Sequence, residues 1–323
     1  MSSAVKKILI IRFSSIGDIV LTTPVIRCLK QQMPGAEVHY ITKKHFEPIL
    51  KSNPYIDKLW LYDGNFSDLM PGLKAEHFDF IVDLHRNLRS RYVRFRLGTL
   101  SGSFPKLNLR KWLIVNFKWN FLPDVHIVDR YFKATGKPGL KNDGKGLEYF
   151  IPPEDEVNPA FNDYIAMVLG GKHNTKIYPA GKVAEVIRRL SKPVILLGGK
   201  EDRERGEQIV RLSKKPVKNA CGEYTLNQAA SVIRQASAVL SNDTGLMHIA
   251  AAFGKKTVSV WGSTIPAFGM YPYMPGHGKD SFLAEVTGLS CRPCSKLGFR
   301  ECPRQHFRCM MDISVDDIAA NLE

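Results

Sequence analysis

A chain of 323 residues is longer than one ordinary hydrophobic core supports and fits two domains of about 150 residues each. Its 44% hydrophobic and 24% charged residues describe a soluble globular protein, and no run approaches the ~18 apolar residues needed to span a bilayer. A net charge of +15 points to anionic partners, which leaves nucleic acid, a phosphorylated small molecule and an acidic membrane surface all open.

Lys6 and Lys7 precede an apolar run that Arg12 cuts short, so the segment reads as a first strand rather than a secretory leader, and the expected location is the cytoplasm. Lys7 to Arg12 is continuously apolar between its basic ends, as a central parallel strand would be. Phe13 to Asp18 forms the turn after it, and Ile19 to Met33 has helical periodicity with Pro24 near its first turn. Ala36 to Thr42 is the next strand, so the opening is a βαβ unit, on which ligands bind at the C-terminal ends of strands. The dinucleotide fingerprint Gly-x-Gly-x-x-Gly is missing there. Asp18 in that turn suits either of two jobs: a half-desolvated general base aimed at a hydroxyl, or a helix cap.

Phe78 to His85 is another strand, with Asp83 and His85 at its polar exit. From Arg86 to Lys118 there is no acidic residue, and nine basic side chains, Arg86 and Arg89 among them, alternate with Tyr92, Phe95, Phe104, Trp112 and Phe117. That mixture suits RNA, an anionic membrane surface or a phosphorylated glycolipid, or else a solvated basic helix with some buried aromatics. No recognised nucleic-acid module accompanies it. Gly139 to Pro159 is rich in Gly, Pro and charge and reads as the connection between domains.

The second half repeats the α/β pattern. Tyr164 to Leu169 is a strand whose exit loop carries Lys172 and Lys176, and Pro193 to Leu197 is a strand followed by Glu201, Asp202 and Glu204. Tyr224 and Thr225 precede a helix from Leu226 to Ala236. The stretch Ser241 to Pro266 then reads as strand exit, small-residue turn, helix and strand. Asn242 and Asp243 are cap residues, Thr244 and Gly245 allow a ligand close to the backbone, and the unpaired amides of a helix start favour an anion. Cys291, Cys294, Cys302 and Cys309 could hold a structural zinc; the Cys-x2-Cys spacing suits it, the later gaps match no standard zinc module, and buried free thiols are the alternative. Ile313 to Leu322 reads as a short amphipathic helix.

Asp243-Thr244-Gly245 with His248, an Ala-rich helix and then Gly262-Ser263-Thr264-Ile265-Pro266 together resemble the signature of the ADP-heptose:lipopolysaccharide heptosyltransferases, glycosyltransferase family 9. Ser15-Ile16-Gly17-Asp18, Asp83 to His85, His126 to Arg130 and Lys176-Ile177-Tyr178-Pro179 match other family motifs in family order, although Tyr178 stands where Trp is more usual. The resemblance implies an α/β fold of GT-B architecture, two Rossmann-like domains with parallel sheets facing a central cleft. Residues 1–150 would bind the acceptor and 151–310 the nucleotide sugar, while 311–323 would form a helix packing back on the first domain. The implied reaction moves a heptose from ADP-heptose to the inner core of lipopolysaccharide with inversion, without a metal or cofactor.

On that reading Asp18 is the catalytic base, and Ser15, Gly17, Asp83, His85, Arg86 and Arg89 lie toward the acceptor. Lys176 stabilises the departing diphosphate, with the amides of Thr244, Gly245 and Leu246; Glu201 meets the ribose, Tyr224 or Thr225 lines the adenine, and Asp243, His248, Gly262 and Thr264 complete the donor site. The expected enzyme is a monomer, peripheral on the cytoplasmic face of the inner membrane, with an anionic glycolipid acceptor and no nucleic-acid partner. The competing readings are a transferase or epimerase using another nucleotide sugar, and a nonenzymatic basic protein that binds RNA or membranes.

Overall fold

The computed structural model describes residues 6–136 and 139–323. The chain divides into two compact units, one of residues 1–106 and 125–150 and one of residues 107–124 and 151–323.

The first unit contains β1 (Lys7–Ile11), α1 (Ile16–Val20), α2 (Thr23–Gln32), β2 (Glu37–Lys43), α3 (Glu47–Leu50), β3 (Lys58–Tyr62), α4 (Met70–Ala75), β4 (Phe80–Asp83), α5 (Leu88–Leu97) and β5 (Ser101–Ser103). After an excursion through α6 (Asn108–Phe117), the chain returns to this unit with α7 (Ile127–Phe132). Its five strands pair in parallel in the order β3-β2-β1-β4-β5. β1 is central, and all of Ile8 to Ile11 is buried, which is why that strand lacks an alternating pattern.

The single helix expected over 19–33 is two helices. The Thr22 hydroxyl donates to the Ile19 carbonyl (2.6 Å) and that of Thr23 to the Val20 carbonyl (2.8 Å), while Pro24 in the first turn of α2 has no N–H to continue α1.

The second unit contains β6 (Ile165–Val168), α8 (Ala180–Arg189), β7 (Val194–Leu197), α9 (Arg203–Ser213), β8 (Val217–Asn219), α10 (Leu226–Gln235), β9 (Ala238–Asn242), α11 (Gly245–Ala252), β10 (Lys256–Trp261), β11 (Ser281–Glu285), α12 (Arg308–Met311) and α13 (Val315–Ala320). The parallel order is β11-β10-β9-β6-β7-β8. Successive residues of β6 feed opposite layers: Ile165 and Met167 pack with the α8 and α13 side, Ala166 and Val168 with the α10 and α11 side.

Two boundaries differ from the expectation. Residues 107–124 belong to the second unit, because Lys118 Nζ donates to the carbonyls of Cys291 (3.2 Å) and Pro293 (2.8 Å) and Lys296 Nζ reaches Asn108 Oδ1 (2.6 Å). The last helix was expected on the first domain; instead Ile318 and Leu322 are buried in the second unit's core beside α8, at roughly 1.5–3 kcal/mol of burial each. Arg189 pairs with Asp316, and Glu323 accepts from the Ser191 amide, so the chain end is pinned there.

Candidate functional site

Each sheet reverses its strand order once, between β1 and β4 in the first unit and between β6 and β9 in the second, and parallel α/β sheets bind ligands at the C-terminal ends of such strands.

In the first unit the exit of β1 carries Asp18, at the third position of α1. Its Oδ2 accepts from the Ser15 amide (3.2 Å) and hydroxyl (2.8 Å), and its Oδ1 lies 2.6 Å from Arg12 Nη2. Arg12 is buried and locked by its own bonds to the Ser14 carbonyl (2.7 Å) and Leu84 carbonyl (2.5 Å). Burial pushes the Asp18 carboxyl up, but the Arg12 charge and the Ser15 hydrogen bonds outweigh it and hold the pKa below its ordinary value. Asp18 thus does cap α1, and its side chain still keeps 19% of its surface open. Ser15 is exposed and Gly17 is buried in the same turn.

At the exit of β4, Asp83 is wholly buried. Its Oδ1 accepts from the amides of His85 (3.0 Å) and Arg86 (2.7 Å), and its Oδ2 from Ser90 Oγ (2.8 Å) and Arg94 Nη1 (3.4 Å). That occupancy corrects the expected contact of Asp83 with an acceptor: it braces the turn, holding Arg86 in the left-handed region at φ +50°. Arg86 and Arg89 are exposed, as an acceptor contact requires. His85 sits edge-on to Phe13, and burial, aided by the Arg12 and Lys106 charges, pushes its pKa down to about 3. Its imidazole is therefore neutral at physiological pH and able both to donate and to accept.

In the second unit the exits of β6, β9 and β10 converge. Lys176 Nζ lies 2.5 Å from Asp243 Oδ2, which also accepts from Thr264 Oγ1 (2.9 Å). Both members of the ion pair are partly open, at 17% and 14% of their side-chain surface. Thr244 is the N-cap of α11, so the amides of Gly245 and Leu246 begin the helix beside the pair. Asn242, expected as a cap, is instead the strut: its Oδ1 accepts from the Tyr178 amide (3.0 Å), and its Nδ2 donates to the carbonyls of Leu169 (3.1 Å) and Gly170 (3.2 Å). This fixes the Lys176 loop to β9.

Three donor-site expectations change. His248 is buried on α11, and Thr264 is buried with its hydroxyl committed to Asp243, so neither presents its side chain to a ligand. Gly262 is also packed: a Cβ there would meet the Thr175 carbonyl at 2.7 Å and Met310 at 2.6 Å. Past β7, Asp202 is buried, accepting from the Gly199 amide (3.0 Å) and pairing with Arg205 (2.5 Å), while Glu201 and Glu204 are both exposed. Tyr224 is half-buried against the core, and the Thr225 hydroxyl caps α10 by accepting from the Gln228 amide (3.3 Å).

The sequence reading missed Arg292. Its guanidinium donates to the carbonyls of Gly262 (2.7 Å), Trp261 (3.2 Å), Thr264 (3.0 Å) and Val286 and pairs with Glu285 (2.8 Å), so it ties the loop after β10 into place. An arginine among cysteines carries no sequence signal for that role. The surrounding cysteine loop is a buttress too: Phe299 donates its amide to Thr175 Oγ1 (2.7 Å), and Cys294 its amide to the Ser263 carbonyl (3.0 Å).

Cys291, Cys294, Cys302 and Cys309 are free thiols, with Cys309 buried and Cys291 Sγ 3.8 Å from His306 Nε2. No three of these sulfurs meet within the 4.8 Å that donors to a shared ion would span. Among the described residues the one group of that kind is Glu37, His39 and Glu76, and Lys7 already pairs with both of its carboxylates.

Two all-parallel Rossmann-like units, each with polar groups at the reversal of strand order, make up the GT-B-like architecture. The family model described as glycosyltransferase family 9 (heptosyltransferase) matches residues 67–277, and the chain belongs to that family. Its relatives include the lipooligosaccharide heptosyltransferase 2 of Haemophilus ducreyi, 26% identical over 98% of both chains, and the lipopolysaccharide heptosyltransferase 2 of Escherichia coli, 24% identical over 81% of this chain and 84% of that one. Among solved structures, the E. coli ADP-heptose lipopolysaccharide heptosyltransferase II superposes with a TM-score of 0.73 at 20% identity, covering 98% of this chain and 97% of its own. A family 9 glycosyltransferase from Veillonella parvula gives 0.71 at 22% identity, covering 87% and 86%. Glycosyl transfer is therefore the class of activity.

Proposed function

We propose that the chain is an inverting, metal-independent heptosyltransferase that moves a heptose from ADP-heptose to the inner core of lipopolysaccharide. The observation that carries this is the second unit's exit: an ammonium, Lys176, held by a carboxylate beside the first amides of α11, at the reversal of strand order. Such a grouping receives a diphosphate, because the ligand's oxygens compete with Asp243 for Lys176 while the amides supply further donors. The names of the family and of the relatives given above support heptose as the sugar.

In the reaction an acceptor hydroxyl oxygen attacks the anomeric carbon from the face opposite the leaving group. The bond from that carbon to the β-phosphate oxygen breaks, ADP leaves toward Lys176 and the α11 amides, and the hydroxyl proton passes to Asp18. Ionised Asp18 is available for this throughout the neutral range, since Arg12 keeps it charged. Neutral His85 and exposed Ser15, Arg86 and Arg89 orient the acceptor's hydroxyls and anionic groups. Glu201 takes the ribose, and Tyr224 and the surface around Thr225 take the adenine.

The reading includes a monomer working at the cytoplasmic face of the inner membrane, where a glycolipid acceptor is reached; among the described residues no helix is long and apolar enough to cross it. A calorimetric screen of ADP-, UDP- and GDP-sugars followed by turnover with ADP-heptose and heptose-deficient lipopolysaccharide tests the proposal. Preference for ADP and formation of one new anomer of inverted configuration are expected. Tighter binding of UDP- or GDP-sugars would overturn the donor, and retention of configuration would overturn the mechanism.

A further inference from the structure

The basic and aromatic stretch is divided between the two units, and its second part has no place in the chemistry above. Residues 107–124 belong to the second unit, yet α6 faces the wrong way for an ordinary surface helix. It buries Lys111, whose ammonium lies 5.3 Å from the Phe268 ring centre, together with Ile114. Outward it shows Leu109, Trp112 and Phe117, and the following turn adds Trp119 and Phe121, each at least half exposed. The rings touch one another: Trp112 and Phe117 meet edge to face at 5.4 Å, and Phe117 stacks on Trp119 at 5.2 Å.

An apolar cluster of this size on a soluble surface marks an interaction site. Its neighbours say with what. There is no acidic residue between Asp83 and Asp124, and a cavity of about 680 Å³ beside α6 is lined by Lys118, Arg304, His306 and Arg308 as well as Asn116 and Phe299. Exposed tryptophan and phenylalanine next to cationic groups match the boundary between acyl chains and anionic headgroups, where indole rings settle and basic residues meet phosphate. The segment is also held firmly, by the Lys118 bonds to Cys291 and Pro293 and by Arg110 to the Phe121 carbonyl (3.0 Å), so inserting it needs little ordering.

We propose that residues 109–121 are the docking surface of this protein for an anionic phospholipid bilayer, with Trp112, Phe117, Trp119 and Phe121 entering the interface and the cavity's Arg304 and Arg308 receiving headgroup phosphate. The inference deepens the reading of a peripheral enzyme and rests on it only for where the protein works. It leaves Arg86 and Arg89 of the first unit to the acceptor.

The test is cosedimentation with vesicles of phosphatidylglycerol and phosphatidylethanolamine, against vesicles of phosphatidylcholine alone. Wild type should partition onto the anionic vesicles, and W112S/F117S/W119S/F121S should lose that partition by about tenfold or more. In F117S/F121S, which keeps all four tryptophans, emission should shift less to the blue on adding vesicles than in wild type. The fourfold variant should keep its affinity for ADP and its transfer to a soluble, lipid-free core oligosaccharide, which separates failure of this surface from failure of the heptosyltransferase reading. Equal vesicle binding by wild type and the fourfold variant would overturn the proposal. So would a wild-type dimer in sedimentation velocity that the same substitutions dissociate, since a second copy of the chain would then be the occupant.

Discussion

The two strand-order reversals hold opposite arrangements of the same two charges. In the first unit a buried cation, Arg12, grips a carboxylate that keeps one open side. In the second, a partly open carboxylate, Asp243, grips an ammonium that is partly open too. Guanidinium cannot give up its proton, so the first pair fixes an anion ready to take one; the second presents a mobile point charge that phosphate can draw away. One sheet end is thus suited to a hydroxyl losing a proton and the other to an oxygen gaining charge. Loss of the presented group should therefore damage rate in the first unit and nucleotide affinity in the second.

The largest expected effect comes from Asp18→Asn. Turnover should fall by roughly 10²–10⁴, the usual contribution of a positioned base, while calorimetric affinity for ADP stays near wild type. The thermal midpoint should fall as well, because Arg12 is buried and keeps no anion; part of the ~3–5 kcal/mol of breaking a buried pair is at stake. A folded variant with near-normal turnover would leave Asp18 as a cap alone. Because the carboxyl pKa is lowered, the acid limb of the wild-type rate profile should fall below the ordinary carboxylate range; it should not shift toward neutrality.

Lys176→Ala comes next. Loss of a charge-assisted contact to phosphate, about 1.5–3 kcal/mol, should weaken ADP by ~10–150-fold, with the melt little changed at a partly exposed site. Unchanged affinity would transfer the role to exposed Lys172.

What the sequence disclosed, and what it hid, follows the same division between local and paired information. Strands β1, β6 and β9 were readable because continuous apolar runs are local, and so was the position of Asp18 after β1, of Lys176 after β6 and of Asp243 after β9. Partners across the chain were not. Nothing near Arg12 announces that it meets Asp18 and Leu84, nor does Asn242 announce its bonds to Leu169 and Gly170. Asp83 and Thr264 lie in the right loops but face inward, a difference of side-chain direction that a motif cannot carry. The assignment of 107–124 to the second unit likewise depends on Lys118 finding carbonyls more than 170 residues away.

His85 sharpens the first unit's side of the comparison through pH. Its folded-state pKa of about 3 lies below the ordinary 6.5, so between those values the unfolded chain binds a proton that the native chain refuses. The stability it contributes is complete above 6.5 and is lost as pH falls toward 3. Between pH 7 and 5.5 this amounts to about 1 kcal/mol, well within reach of urea titration. His85→Asn should flatten that part of the stability profile relative to wild type. Parallel profiles for the two proteins would mean that the imidazole is hydrated and unperturbed in the fold.

Thr264→Val tests the second unit most finely, because the residue touches no ligand. Valine fills the same buried volume but removes the hydroxyl that donates to Asp243 Oδ2. Asp243 then has one donor fewer, its charge falls more completely on Lys176, and an incoming diphosphate must compete harder for the ammonium. Only a fraction of the value of this charge-assisted hydrogen bond reaches Lys176, about 0.5–1 kcal/mol, which corresponds to ADP binding weakened by ~2–5-fold. Asp243→Asn, which relaxes the grip on Lys176, should not weaken ADP in the same way if competition is the cause. Were Thr264→Val to bind ADP as wild type does, the hydroxyl would serve packing of the loop after β10 alone, and Lys176 would be presented without its help.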